Sequence, residues 1–124
     1  MIEIRLGELK GILEGLQVLI EKEIPIKVSY RISKMVKKVV EEYNLFEESR
    51  QKLLEKHGEK DEKGQLISKE GMVVFKDAEE FHKEFHSLSN TDIELDIKSL
   101  KLDDLGNITL SPKTLLALDK VIKE

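Results

Sequence analysis

The sequence predicts an α+β fold: an elongated hairpin of a short and a long helix, a small antiparallel sheet near its ends, and a C-terminal helix. Three observations carry that expectation. Apolar residues recur at helical spacing from Val28 to Leu53 with no Pro or Gly between them. Short stretches at Ile2 to Leu6 and Ile93 to Ile97 alternate apolar and polar residues, the period of a half-buried strand. Leu, Ile, Val and Phe together supply about a third of the 124 residues, enough for a packed core in one domain spanning 1–124.

Ile2, Ile4 and Leu6 alternate with Glu3 and Arg5 as a first strand. From Gly7 the period lengthens, and Leu9, Ile12, Leu13, Leu16 and Ile20, with Leu19 beside them, share one face of a first helix. Gly11 and Gly15 lie four apart in it and mark a surface that another helix can approach closely. Pro25 stops or bends this helix, because the residue before a proline avoids the helical region.

The second helix runs from about Ile26 or Ser29 to Lys56. Val28, Ile32, Met35, Val39, Tyr43 and Phe46 step by three or four, Leu53 follows seven later, and Arg50 interrupts the seam. At 1.5 Å per residue, ~28 residues extend about 42 Å, long for a compact chain of this size. Gly58 has the position of a C-cap. The first helix is too short to cover all of this stripe. The excess from Phe46 to Leu54 needs the C-terminal region or a second copy, so a homo-oligomer is expected.

Residues 59–71 are polar with two glycines and read as an exposed loop or hairpin tip, with Leu66 and Ile67 available to pair with Met72 to Phe75. Asp77, three residues before Glu80, is an N-cap for a helix bearing Phe81, Phe85 and Leu88 and ending near Asn90. Ile93 to Ile97 then returns to strand periodicity, and Ile108 to Leu110 is another short extended piece. Ser111 followed by Pro112 opens a last helix with Leu115, Leu118 and Val121 or Ile122 inward. The main sheet is expected to join Ile2 to Leu6, Met72 to Phe75 and Ile93 to Ile97.

Composition excludes several classes of function. There is no Cys, hence no disulfide framework, thiolate nucleophile or cysteine zinc site. No apolar run is long enough to span a bilayer, and Met1 to Arg5 does not resemble a signal peptide, so a cytoplasmic chain without membrane contact is expected. The net charge of −4 is uneven, with the acidic excess in residues 59–124. Lys outnumbers Arg 18 to 3, which disfavours bidentate phosphate and base contacts.

Candidate chemistry is sparse. His82 and His86, at i and i+4, could share a metal, but Lys83 stands where a zinc-protease helix has Glu, so they read as boundary or surface histidines. Asp92, Glu94 and Asp96 alternate onto the solvent face of a strand and have no EF-hand spacing. No Gly-rich phosphate loop, nucleophile elbow or dinucleotide fingerprint occurs. No catalytic, cofactor or metal residue is therefore assigned, and a non-enzymatic protein is expected.

Lys27, Arg31, Lys34 and Lys38 form a basic stripe beside the apolar stripe of the second helix, widened by Lys37, with no acid between Lys27 and Val40. Such charges can flank an internal helix seam, face an acidic protein partner, or touch a phosphate backbone. Together with Phe46 and Leu53 they are the candidate partner-binding residues. A protein partner or self-association comes first, and nucleic acid is the alternative.

Residues Ile26 to Lys34, Glu47 to Lys56 and the Gly58 to Gly64 tip resemble a family of small phage and prophage proteins of Gram-positive bacteria, over roughly residues 1–105. That family has no established activity or catalytic residues. The resemblance implies a phage or prophage setting. The role expected is that of a structural, assembly or adaptor protein acting through helix-mediated protein contacts. The alternative is a small nucleic-acid-associated or regulatory protein using the basic stripe.

Overall fold

The computed structural model describes residues 1–124. The chain opens with β1 (Ile2–Arg5), turns through a single 3-10 turn at Leu6–Glu8, and enters α1 (Leu9–Ile20). It then forms α2 (Ile26–His57), a hairpin of β2 (Ser68–Lys69) and β3 (Met72–Val73), and α3 (Ala78–Ser89). β4 (Asp92–Leu95), β5 (Leu100–Lys101), a 3-10 turn at Leu102–Leu105, α4 (Pro112–Ala117) and β6 (Ile122–Lys123) complete it. The α+β architecture of a short helix, a long helix, small sheets and a C-terminal helix is as the sequence predicts. At 32 residues, α2 is about 48 Å long and is the spine on which the other elements lie.

α1 packs along the N-terminal half of α2, and its buried positions are Leu9, Ile12, Gly15, Leu16 and Leu19. The inward ridge is thus 9–12–16–19, and Ile20, expected on this face, is 55% exposed. A 3–4–3 step holds one line along the helix axis, whereas a further step of four from Leu16 rotates away from the partner. Gly15 meets α4: a Cβ there would lie 2.7 Å from Leu118 Cγ, while Gly11 faces open space. Close approach explains the first glycine and not the second. Gly15→Ala should therefore cost about 1–2 kcal/mol net, overpacking outweighing the helix-propensity gain. Gly11→Ala should gain ~0.5–1 kcal/mol. Urea-unfolding midpoints of the two variants, moving in opposite directions, check both.

Local capping behaves as its residues dictate. The Asp77 carboxylate accepts the Glu80 N–H at the start of α3, and the Ser111 hydroxyl accepts the Thr114 N–H at the start of α4, where Pro112 takes the first helical position. Gly58 does close α2, but its φ of −76° is open to any residue. Its requirement is steric, since a Cβ would lie 2.5 Å from Leu66 Cδ2 and 2.6 Å from the Leu54 carbonyl oxygen.

The strands do not form the expected three-stranded sheet. β1 pairs antiparallel with β4, Ile2 opposite Leu95 and Arg5 opposite Asp92. β3 pairs with β2 instead, around a tip at Glu70 and Gly71, and β5 pairs parallel with β6. Met72 to Phe75 is held by its own hairpin because a few residues of polar turn bring Ser68 back to Val73. Residues 108–110 carry no regular structure. At the N-terminal turn, Glu8 accepts from the Arg5 N–H and from Lys120 Nζ, tying the chain's two ends together. Partial burial pushes the Glu8 carboxyl up, but the Lys120 and Arg5 contacts outweigh it and hold its pKa below the ordinary value.

The main core follows α2 from Val28 to Phe46. Val28, Ile32, Met35 and Val39 meet Leu9, Ile12, Leu16 and Leu19, with Ile4, Leu95, Leu100, Leu118 and Val121 closing the side. Beyond α1, the seam continues through Phe46 to Leu54 and His57 rather than to Leu53. Arg50, on the line between them, is half-buried and forks onto the Glu47 carboxylate at 3.0–3.2 Å. The cover over this C-terminal half is α3 and the 58–75 segment. Phe46 meets Phe85 at 5.9 Å between ring centroids, and Phe81 stacks between Phe85 at 5.9 Å and Phe75 at 4.3 Å. The Phe46 to Leu54 excess is therefore covered within the chain, by a middle element rather than by the C-terminal region.

Candidate functional site

With its apolar seam closed, α2 leaves one chemically distinctive open face, the basic stripe of its N-terminal half. The helix period puts Arg31, Lys34 and Lys38 on one line, with Lys37 beside it. β4 delivers the other wall. Its ladder with β1 ends at Leu95, and the next residues, Asp96, Ile97 and Lys98, run past α2 toward β5. Between the two walls lies an open groove of about 810 Å³ with Met35 and Ile97 at its base and Met1 at its mouth. A smaller recess of about 330 Å³ continues it past Arg31, Lys98 and Ser99 to Lys123.

The groove is electropositive. Arg31, Lys34, Lys37, Lys38 and Lys98 line it, against the acids Glu41 and Asp96. Arg31 is committed within the chain: Nη2 donates to the Ser99 carbonyl at 3.2 Å, and Nη1 lies 3.5 Å from Asp104 Oδ2. It anchors the 99–104 segment to α2 and fixes the groove's width. Lys34, Lys37, Lys38 and Lys98 make no ion pair within 4.0 Å. The Lys34 ammonium lies 5.0 Å from the centroid of the exposed Tyr30 ring. Four unpaired ammonium groups converging on one concavity can neutralise an anionic ligand without first breaking an internal pair.

The structure separates the six residues singled out from the sequence. Arg31, Lys34 and Lys38 come together in the groove, whereas Lys27 is exposed one turn away and does not line it. Phe46 is a core residue, 8% exposed, because α3 brings Phe85 onto it, and it offers no partner surface. Leu53 is half-buried at a shallow α2–α3 crevice with Ser49, Lys52 and Leu88, off the main seam. The far wall of the groove has no signature in the sequence; Lys98 follows a strand and stands far along the chain from the cations of α2.

His57 also goes unmarked in the sequence. It is 8% exposed, its ring edge-on to Phe81 at 6.3 Å, and Nε2 lies 2.9 Å from Glu84 Oε2. Lys56 Nζ donates to the other oxygen of the same carboxylate at 2.9 Å. The His57 hydrogen bond, then that of Lys56, holds the Glu84 carboxyl below the ordinary carboxylate range. A depressed folded-state pKa stabilises the fold fully above the unfolded-state value and ceases to do so as pH falls through the folded-state value. The stability gap between wild type and Glu84→Gln should therefore be smaller well below the ordinary carboxylate range than at neutral pH, as read by urea midpoints across pH. A gap as large at strongly acidic pH as at neutral pH would contradict the clasp.

The two other histidines do not form a pair. His82 lies beside Phe75 and Phe81, and His86 Nε2 accepts from Asn90 Nδ2 at 2.9 Å. No group of three or more His, Asp or Glu side chains is arranged to hold a metal, and no helix is long and apolar enough to cross a membrane. A scan against protein-family models and searches of curated proteins and of solved structures find no match.

Proposed function

We propose that this chain is a non-enzymatic adaptor or assembly protein that docks an acidic surface of a partner protein in the basic groove between α2 and residues 96–98. The observation that supports it most is the convergence of four unpaired ammonium groups, Lys34, Lys37, Lys38 and Lys98, around one concavity. Complementary charge of this kind supplies on-rate and selectivity for an oppositely charged partner. An apolar base of Met35 and Ile97 suits a polypeptide, which brings apolar side chains as well as carboxylates. The phage or prophage setting rests on the resemblance over roughly residues 1–105 alone.

Fluorescence anisotropy with a labelled polyglutamate peptide tests this reading. Wild type should retain the peptide at low salt. The Lys34→Glu, Lys38→Glu, Lys98→Glu triple variant, with an unchanged circular-dichroism spectrum, should lose at least about tenfold in affinity. Equal retention by both proteins, or by neither, contradicts the proposal.

A second reading, a nucleic-acid-associated protein, is favoured by one feature: exposed Tyr30 beside Lys34 is a ring on which a base could stack. The same titration with a single-stranded oligonucleotide discriminates. Tighter binding than polyglutamate, with a log–log salt slope of about −0.7 for each neutralised phosphate, would favour it. Glu41 and Asp96 along the groove oppose a continuous phosphate track.

A further inference from the structure

We propose that the partner's acidic segment also carries a large apolar side chain, which seats on Tyr30 and Ile26 beyond the N-terminal end of the basic groove. This rests on the reading of the groove as the partner site and names the second element of what the partner must present.

The observation is an apolar pair with no role inside the chain. Ile26 is 85% exposed and Tyr30 is 62% exposed, and neither belongs to the core or packs against its edge. Apolar residues exposed singly, such as Leu45 and Met72, are ordinary on a protein surface. Ile26 and Tyr30 differ in standing one turn apart on one side of α2, in its first two turns. Lys34 joins the pair to the groove. Its ammonium lies 5.0 Å from the centroid of the Tyr30 ring, and the same side chain lines the groove with Lys37 and Lys38. Ile26, Tyr30, Lys34 and Lys38 thus follow one ridge of the helix at four-residue steps of about 6 Å each. The first two positions are apolar and the next two are cationic.

Charge and spacing select the occupant. No acid occurs between Lys27 and Val40, so the cationic half of the ridge attracts carboxylates. Attraction to exposed lysines is weak and screened by salt. A large side chain that leaves water for the Tyr30 ring adds contact energy that salt does not screen, and aromatic anchors of this kind carry much of the energy of protein interfaces. Two residues of extended chain span about 6.6 Å, close to one step of the ridge. An apolar residue two positions from the first acid therefore reaches Tyr30 when that acid meets Lys34. The occupant is an acidic segment with such an anchor, supplied by another protein.

The test uses the intact 124-residue protein and three peptides labelled for anisotropy: hexaglutamate, hexaglutamate preceded by Trp-Ser, and hexaglutamate followed by Ser-Trp. One of the two Trp peptides should bind about fivefold more tightly than hexaglutamate, and that ratio should hold as salt is raised. In Tyr30→Ala the ratio should fall to about one, whereas Leu45→Ala, which removes a comparably exposed side chain from the other half of α2, should preserve it. An excess that is absent from both Trp peptides, disappears as salt is raised or persists in Tyr30→Ala overturns the anchor. The groove itself then stands if the Lys34→Glu, Lys38→Glu variant still weakens hexaglutamate. If Tyr30→Ala weakens a single-stranded oligonucleotide more than it weakens the Trp peptide, the ring serves a base and the protein anchor is overturned. If hexaglutamate is not retained at low salt, the groove reading fails and the anchor with it.

Discussion

Phe81→Ala should destabilise the protein by about 3–5 kcal/mol, the largest effect expected of any single truncation in the chain. Phe81 is 7% exposed and its ring lies against Phe75 at 4.3 Å, Phe85 at 5.9 Å and, edge-on, His82 at 5.5 Å and His57 at 6.3 Å. Its removal leaves a cavity between α3, the 58–75 segment and α2 that rings anchored on three different elements cannot all close. The loss would also loosen the cover that α3 gives to α2, where Phe85 lies against Phe46. Leu45, 56% exposed one position before Phe46, is the control: Leu45→Ala should change the unfolding midpoint little. Similar midpoints for the two variants would mean that α3 does not cover α2.

The second large effect is Leu16→Ala, expected to cost about 2–5 kcal/mol. Leu16 is fully buried on the ridge by which α1 meets α2, in one core with Ile32, Met35 and Val39. Ile20, which helical spacing alone puts on the same face, is 55% exposed, so Ile20→Ala should fall within about 0.5 kcal/mol of wild type. Chemical denaturation of the pair reads out which ridge α1 presents. Equal losses at both positions would return the inward face to the broader stripe of the sequence.

These pairs show where sequence reasoning reaches and where it stops. The helix starts at Asp77 and at Ser111–Pro112 are legible because capping is decided within three residues of the cap. The long α2 is legible because its apolar period persists over many turns without a breaker. Which of two neighbouring apolar residues turns inward is not, since Leu19 or Ile20, and Leu53 or Leu54, satisfy the helical period about equally. Only the element packed opposite decides between them.

Long-range pairing escapes the sequence for a related reason. Met72 to Phe75 and Ile2 to Leu6 both have strand composition, and nothing local says that the first pairs with Ser68 and the second with a strand ninety residues away. His57 sits among polar neighbours, and its burial follows entirely from where Phe81 and Glu84 land. The groove is half legible. Its α2 wall is a periodic run of cations, but Asp96 to Lys98 join it only because β4 exits past that face of the helix.

The open face of α2 is the basic one because the helix's apolar seam is closed inside one chain. Amide hydrogen exchange along α2, followed by mass spectrometry at high protein concentration and after ~100-fold dilution, tests this directly, because a second copy would be lost by mass action. Residues 46–57 should exchange as slowly as residues 28–39 and at the same rate in both samples. Fast exchange of 46–57, or protection there that disappears on dilution, would mean that another molecule supplies the cover. The surface available to a partner would then have to be sought along that half of the helix.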